Sequence, residues 1–474
     1  MHYNYAYSGV RVGLPSSSMS SNRELTRLSG WGNTAPSMCH VVDASGLDVI
    51  KVAIEECDTR GVIARGLGRS YGAPAQNAGG TVLLMADHGD SSIVLDRQTG
   101  LVTADARVSL ERLMTELVPQ GWFVPVTPGT RQVTVGGAIA SDIHGKNHHV
   151  DGSFGDHVVK ITLLTSEGNV RELTPEESPS EFWATVGGMG LTGVILNATF
   201  KMIPIATSSM RVETSRAENL SALMTSMQDD RDYRYSVAWI DLVAKGSRMG
   251  RGVLTRGDHA ALSELKNVDE SSALQFNPKA LLSAPPIFPS GMLNKWTVSA
   301  FNELWFRKAP AQIHESIESI GSFFHPLDGV KQWNRLYGRS GFVQYQFVVP
   351  FGAEETLEAI VHRLSAENCA SFLAVLKYFR KGNDGPLSFP LEGWTLALDV
   401  PAHGGHMAAV FAEVDEMVLH AGGRHYLAKD AHIRPDAVVR GYPRLQEWRD
   451  VQQRMDPNHV WQSDLARRLR LTTR

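Results

Sequence analysis

Along the first two hundred residues the spacing of apolar positions alternates between the 3.6-residue period of a helix and the two-residue period of a strand. Ser45 stands ahead of a stretch whose Ile50, Ala53, Ile54 and Cys57 share one helical face, and Gly61 ends it. Val62-Ile63-Ala64 then reads as a short strand running into a glycine-rich loop. A second helix is predicted over 110–118, with Ser109 as its cap, Gly121 behind it and Leu110, Leu113, Met114 and Leu117 on its buried face. A strand over 122–126 follows. Val158–Leu164 and Val170–Leu173 flank Glu167-Gly168-Asn169 and predict a hairpin, and 194–203 predicts a long strand stopped by Pro204.

From about Ala206 the pattern changes. Strands over 235–243, 341–349, 372–377 and 394–400 alternate with helices over 220–227, 313–324, 354–364 and 406–420. That alternation predicts a sheet covered by helices, a second layered unit. The stretch 278–296 carries four prolines and no period, so it reads as a long loop. After Gly423 the chain returns to loop and helix, with Pro443 opening a helix to about Met455. The expected class is α+β. A loose leader covers 1–24, a first domain 25–205, a second 206–422, and 423–474 returns to the first.

A length of 474 residues suits two domains, and 43% hydrophobic with 20% charged residues is ordinary for a globular chain. A net charge of −4 gives no electrostatic case for nucleic acid. Cys39, Cys57 and Cys369 are far apart and form no C-x-x-C pair, which argues against a disulfide framework or a thiolate metal site. No run of about 18 apolar residues predicts a membrane span. Peripheral membrane contact stays open, because the 278–296 loop holds Leu281, Leu282, Ile287, Phe288, Met292 and Leu293.

The candidate chemistry begins at Ala64-Arg65-Gly66-Leu67-Gly68-Arg69-Ser70-Tyr71-Gly72, directly after a strand. Its glycines let successive backbone N–H groups converge on one anion, as a diphosphate requires. The third glycine falls one place late for a dinucleotide-binding G-x-G-x-x-G, and a plain turn would fit the loop equally well. A second cluster runs from Pro128 to Asn147. Its small residues from Gly136 to Ser141 let a flat ring or a phosphate approach the backbone, with His144, Lys146 and Asn147 as donors. A third, Gly187-Gly188-Met189-Gly190-Leu191-Thr192-Gly193, precedes the 194–203 strand. Three such clusters in one domain are hard to explain as turns.

Gln344 and Gln346 lie two apart on a predicted strand, so both face one side and suit sugar hydroxyls; a solvent-facing pair is the plain alternative. Lys377 sits in an apolar strand, where an internal carboxylate would be its ordinary partner. Lys429 precedes Asp430, which offers a local ion pair. His144, His148 and His149 have no suitably spaced carboxylate or thiolate, so no metal is expected and the latter two read as loop structure.

The strings RGLGRSYG, PGTRQVTVGGAIASDIHGKNHH, FWATVGGMGLTG and DPNHVWQSDLARRL, with QYQF at Gln344 to Phe347, resemble the vanillyl-alcohol-oxidase flavoprotein superfamily over about 28–469. Within it the chain is similar to the flavin subunits of actinobacterial epimerases that make arabinose donors. The resemblance implies an FAD-binding α+β domain and a substrate domain with an antiparallel sheet. It implies oxidation of the 2-hydroxyl of decaprenylphosphoryl-β-D-ribose to a 2-keto intermediate. A separate NAD-dependent keto-reductase would complete the inversion, at the cell envelope and peripheral to the cytoplasmic membrane.

By position, Ala64, Arg65, Gly66, Leu67, Gly68, Arg69, Ser70, Tyr71 and Gly72 would form the pyrophosphate loop. Gly129, Thr134, Val135, Gly136, Gly137, His144, Gly145, Lys146, Asn147, Ile195 and Tyr426 would add FAD contacts. Lys146, Gln344, Gln346, Lys377 and Lys429 match positions in front of the flavin, and Trp239, Phe306 and Phe379 match the substrate or inhibitor pocket. Lys146 and Lys377 suit a sugar phosphate. Lys429 takes the flavin-edge or substrate-hydroxyl position, with Tyr71, His144 and Lys429 as candidate proton acceptors and Gln344 beside them. Two departures stand out. Arg69 replaces the histidine that tethers flavin in many superfamily oxidases, which implies non-covalent FAD. Ala397 replaces a cysteine of mycobacterial members, so the chemistry needs no thiol there. Two alternatives are an oxidase of small soluble sugars or aldonolactones, and a non-catalytic flavin- or lipid-binding subunit.

Overall fold

Alternating Val, Ile and Leu positions pair into three main sheets in the computed structural model, which describes residues 24–229, 232–266, 270–278, 282–284, 295–369, 371–402 and 406–473. The leader expected over 1–24, apart from residue 24, and most of the 278–296 loop lie outside the described residues. The first sheet orders Leu25–Leu28, Ser37–Asp43, Thr81–Leu84 and Val62–Arg65, the last three mutually parallel. The C-terminal tail joins its edge: Val62 donates to the Val460 carbonyl at 2.7 Å, and Gln462 donates back to that of Val62 at 3.0 Å. The second sheet is antiparallel and orders Ile93–Asp96, Leu101–Asp105, Val194–Lys201, Val158–Leu164 and Val170–Leu173. Its predicted hairpin pairs Leu164 with Val170, and Gly168 supplies the φ of 78° that the turn needs.

The third sheet has eight antiparallel strands, ordered His314–Ser319, Ser209–Ala217, Gly252–His259, Tyr235–Ile240, Ala374–Phe379, Gly393–Pro401, Phe342–Pro350 and Arg424–His425. Helices Leu220–Asp229, Glu354–Ala366 and His406–His420 cover one face, burying a core that includes Leu223, Leu357, Ile360, Trp394 and Val414. The opposite face carries Trp239, Gln344, Lys377 and Ala397 into a cavity shared with the N-terminal sheets. Backbone ties hold the two halves in register there, including Ser236 N–H to the Lys146 carbonyl at 2.9 Å. The α+β class and the antiparallel substrate-side sheet therefore stand.

Several expectations need correction. The first helix is Leu47–Glu55, and Gly46 rather than Ser45 is its N-cap, with Cys57 beyond its end. The predicted 122–126 strand shrinks to Trp122–Phe123, which pairs with Ile203–Pro204 after Val194–Lys201 has already ended. The helix expected over 313–324 is the edge strand His314–Ser319 followed by the short helix Ile320–Phe324. Ile313, Ile317, Ile320 and Phe324 happen to repeat at helical spacing, while pairing with Ser209–Ala217 imposes extended backbone. His148 and His149 open the helix His148–Asp151. The final long helix starts at Leu445, two residues after Pro443.

Candidate active site

The cavity occupies about 1950 Å³, well above the usual range for a small-molecule pocket and ample for a dinucleotide with a second ligand. Its walls come from all three glycine clusters, the tail and the eight-stranded sheet. The 64–72 loop leaves Val62–Arg65 and is clamped on its outer side. Ser70 accepts from Trp31 N–H at 2.8 Å, and Tyr71 N–H donates to the Ala428 carbonyl at 3.0 Å. Arg69 lies 4.1 Å over the Trp31 ring. Gly68 takes a φ of 64°, which an L side chain rarely adopts.

Thr134 caps the short helix Val135–Ala140, its Oγ1 accepting from Gly137 N–H at 3.1 Å. The third cluster braces that helix: Gly187 and Met189 donate to the Ile139 and Ala140 carbonyls at 3.0 and 2.8 Å. Gly66, Gly68, Gly129, Gly136, Gly137, Gly145, Gly190 and Gly193 thus present bare backbone to one space. A Cβ on Gly129 would meet nothing within 4 Å, so its surface is kept clear rather than packed. This cradle fits a flat, diphosphate-bearing group.

The sequence pattern pointed to Gln344 but missed its partner. Gln344 Nε2 donates to Asp399 Oδ1 at 2.5 Å, while Asp399 Oδ2 has no hydrogen-bond partner among the described residues. Asp399 is fully buried, and burial pushes its carboxyl up to about 7. Its charge acts on Lys429, whose ammonium desolvation has lowered to about 8. Burial first, and then the nearby Asp399 charge, raise the Tyr71 phenol well above its usual range. The signal for Asp399 was present: Thr395, Ala397 and Asp399 alternate on one strand, so a carboxylate faces the same side as Ala397.

The protonation of His144 is fixed by its neighbours. The Thr395 hydroxyl donates to the Phe347 carbonyl at 2.8 Å and so accepts from Gln346 Nε2 at 3.0 Å. The other hydrogen of that amide meets His144 Nε2, also at 3.0 Å, which makes Nε2 the acceptor and places the ring proton on Nδ1. Burial drives the imidazole well below its usual pKa, so it stays neutral. With Nε2 engaged by Gln346 and the proton on a buried Nδ1, His144 drops out of the candidate proton acceptors.

Three half-buried lysines line the same space. Desolvation, then Lys429 and Lys146, lower Lys377 to about 7; desolvation lowers Lys146 to about 8. Lys146 Nζ donates to the Phe323 carbonyl at 2.5 Å and lies 4.1 Å over that ring. None of the three forms a salt bridge among the described residues. The internal carboxylate expected beside Lys377 is absent there, and Asp430 turns from Lys429 to Arg468 and the backbone of His432 and Ile433.

The structure brings Ala64, Gly66, Leu67, Gly68, Arg69, Ser70, Tyr71, Thr134, Ile195, Trp239, Ala397 and Tyr426 to the cavity wall with the glycines and lysines above. Seven expected contacts stand behind it instead. Arg65 spends its guanidinium on the Ala75 and Ser29 carbonyls at 3.0 and 2.7 Å. Gly72 presses against the Asp430 carbonyl, and Val135 is buried in the core. Asn147 is bound to the Pro125 carbonyl at 2.8 Å and Asp151 at 2.6 Å. Gln346 orients His144, and Phe379 packs against His144 and His148 with centroids 4.9 and 4.4 Å away. Phe306 lies beneath the Arg251 guanidinium at 4.5 Å.

This fold and cavity define an FAD-dependent oxidoreductase, and residues 40–174 match the FAD binding domain family. Decaprenylphosphoryl-β-D-ribose oxidase of Mycolicibacterium smegmatis is 45% identical over 94% of this chain and 97% of its own length. The chain belongs to that oxidase family. A Streptomyces coelicolor protein known by its position in the mprA 5′ region is 38% identical over 77% of this chain and all of its own. D-arabinono-1,4-lactone oxidase of Saccharomyces cerevisiae is 27% identical over only 25% of this chain and 22% of its own length.

Proposed function

We propose that this enzyme oxidises the 2-hydroxyl of a decaprenylphosphoryl-β-D-ribose to the 2-keto sugar. The observation that carries the reading is the lysine trio. Lys146, Lys377 and Lys429 share one cavity with lowered pKa values and, among the described residues, no salt-bridged carboxylate, a setting that favours an anionic phosphodiester over a neutral polyol. The likeness to the Mycolicibacterium smegmatis oxidase supports the same substrate.

Ala64, Gly66, Leu67, Gly68, Arg69, Ser70, Tyr71, Gly129, Thr134, Gly136, Gly137 and Tyr426 would hold FAD without a covalent bond, since Arg69 stands where a tethering histidine would be needed. Bound FAD supplies the hydride acceptor for the alcohol carbon. Lys377 and Lys146 hold the phosphate, and Gln344 orients the sugar. Neutral Lys429 takes the hydroxyl proton, and buried Asp399 stabilises the ammonium that forms. Tyr71, held neutral, serves as a hydrogen-bond donor, and neutral His144 adds no charge to the wall. The ketone then passes to a separate NAD-dependent reductase, and the enzyme works at the cell envelope against the cytoplasmic membrane.

Lys429→Ala is the direct test of this arrangement. It should retain FAD and lose flavin reduction by about 10²–10⁴-fold; reduction at the unaltered rate would remove the assigned base.

A further inference from the structure

The helix Lys295–Lys308 carries large apolar side chains on its outer side as well as its inner one. Its inward face mixes buried Val298 and Phe306 with a polar anchor: Asn302 Nδ2 donates to Asp241 at 2.8 Å, and Arg251 bridges Asp241 and Glu303 at 2.9 and 2.7 Å. Phe306 fills the remaining space under the Arg251 and Arg216 guanidiniums, at 4.5 and 5.2 Å. Its outward face is apolar, with Trp296 at 79% and Leu304 at 70% exposure beside half-exposed Phe301 and Trp305. A helix on a water-facing surface normally keeps its outer side polar. The buried ionic anchor fixes this orientation, so the aromatic face is not a loosely rotated segment.

Two features of the surroundings say what this face meets. Phe301, Trp305 and Lys308 also line the active-site cavity, so the apolar face is continuous with its rim. Phe301 stacks with Trp305 at 6.1 Å and meets Phe372 at 5.9 Å, extending the aromatic track inward. Exposed cations close both ends: Lys295, whose Nζ lies 5.6 Å from the Trp296 ring, and the Arg307–Lys308 pair. Tryptophans beside apolar side chains, edged by lysine and arginine, are the composition that settles at an anionic lipid–water interface.

We propose that the 295–308 helix is a membrane-docking element. It seats its Trp296–Leu304 face in the headgroup region of an anionic bilayer and opens the cavity toward the lipid phase. A polyprenyl phosphate could then enter headgroup first while its tail remains among lipid chains. The inference deepens the function proposed above and rests on the substrate being such a lipid.

The test is sedimentation of the FAD-loaded enzyme with vesicles of phosphatidylglycerol and, separately, of phosphatidylcholine. The unaltered enzyme should sediment with the anionic vesicles and its tryptophan emission should shift to the blue. Trp296→Ser/Leu304→Ser should weaken that binding at least tenfold while reducing its flavin with soluble farnesylphosphoryl ribose at the unaltered rate. Equal vesicle binding by both proteins overturns the proposal, as does failure of the unaltered enzyme to bind. An unaltered enzyme that is dimeric through this face, with the double variant monomeric, also overturns it. Vesicle binding is read without turnover, so an enzyme that docks but is not reduced by the farnesyl substrate would indict the substrate assignment and leave the docking surface standing.

Discussion

Gln344 reaches from the cavity wall to Asp399 and donates to it at 2.5 Å, linking a side chain in the cavity to a carboxylate with no exposure of its own. Through this pair and the Asp399 charge, the sheet controls how readily Lys429 carries a proton. Burial of both groups draws their titrations together, to about 7 for Asp399 and about 8 for Lys429.

Flavin reduction should therefore rise with pH through about 8, as Lys429 becomes neutral and able to accept the hydroxyl proton. In Asp399→Asn the stabilising negative charge is gone, which lowers the Lys429 pKa further. The rising limb should move below 8 and the plateau should fall about tenfold, equivalent to roughly 1.4 kcal/mol on the barrier. Anaerobic stopped-flow measurement across pH reads both changes. An unmoved limb would show that Asp399 does not act on Lys429.

Phosphate binding should take up protons. Lys377 in the free enzyme titrates near 7, below its ordinary value, and the bound phosphodiester anion restores its cationic form. At pH 8 it is mostly neutral before binding, so each substrate bound should draw in close to one proton, and affinity should fall as pH rises above 7. Calorimetry in buffers of different ionisation enthalpy measures the uptake. Lys377→Met should abolish it.

Two glycines in the cradle should fail in different ways. A Cβ on Gly72 would drive into the Asp430 carbonyl, a backbone atom with no room to retreat. Gly72→Ala should lose about 3 kcal/mol of stability, seen as a lowered thermal midpoint. Gly129→Ala meets nothing within 4 Å and should fold normally, while its FAD affinity drops because the methyl group enters the cofactor space.

Ala397 lines the cavity opposite Gln346 in the sheet and offers no nucleophile. Inhibitors that act by bonding to a cysteine at this position should leave the enzyme active, and Ala397→Cys should confer time-dependent inactivation. Mass spectrometry of the treated proteins separates the two cases, and a covalent adduct on the unaltered chain would contradict the assignment.

The glycine loops, the Gln344 strand and the cavity lysines were legible in the sequence because local constraints leave local marks: a positive φ calls for glycine, and a strand shows its faces by alternation. The Asp399 pairing and the His144 tautomer were not, since each depends on a neighbouring strand whose register sequence does not state. The 295–308 helix escaped notice for the opposite reason. Its core-facing positions set a polar Asn302 between Val298 and Phe306, while Trp296, Phe301, Leu304 and Trp305 spread apolar residues over the outer side, so periodicity marked no single inward face. Arg65 and Asn147 were read as cofactor contacts because donors beside glycines look alike whether they face a ligand or the scaffold.

The most direct test mixes the oxidised, FAD-loaded enzyme anaerobically with a polyprenylphosphoryl ribose, and in parallel with free alditols and aldonolactones. Bleaching of the flavin by the phospholipid sugar alone, with a 2-keto product, is the predicted result. Bleaching by alditols or lactones with none by the polyprenylphosphoryl ribose would contradict it.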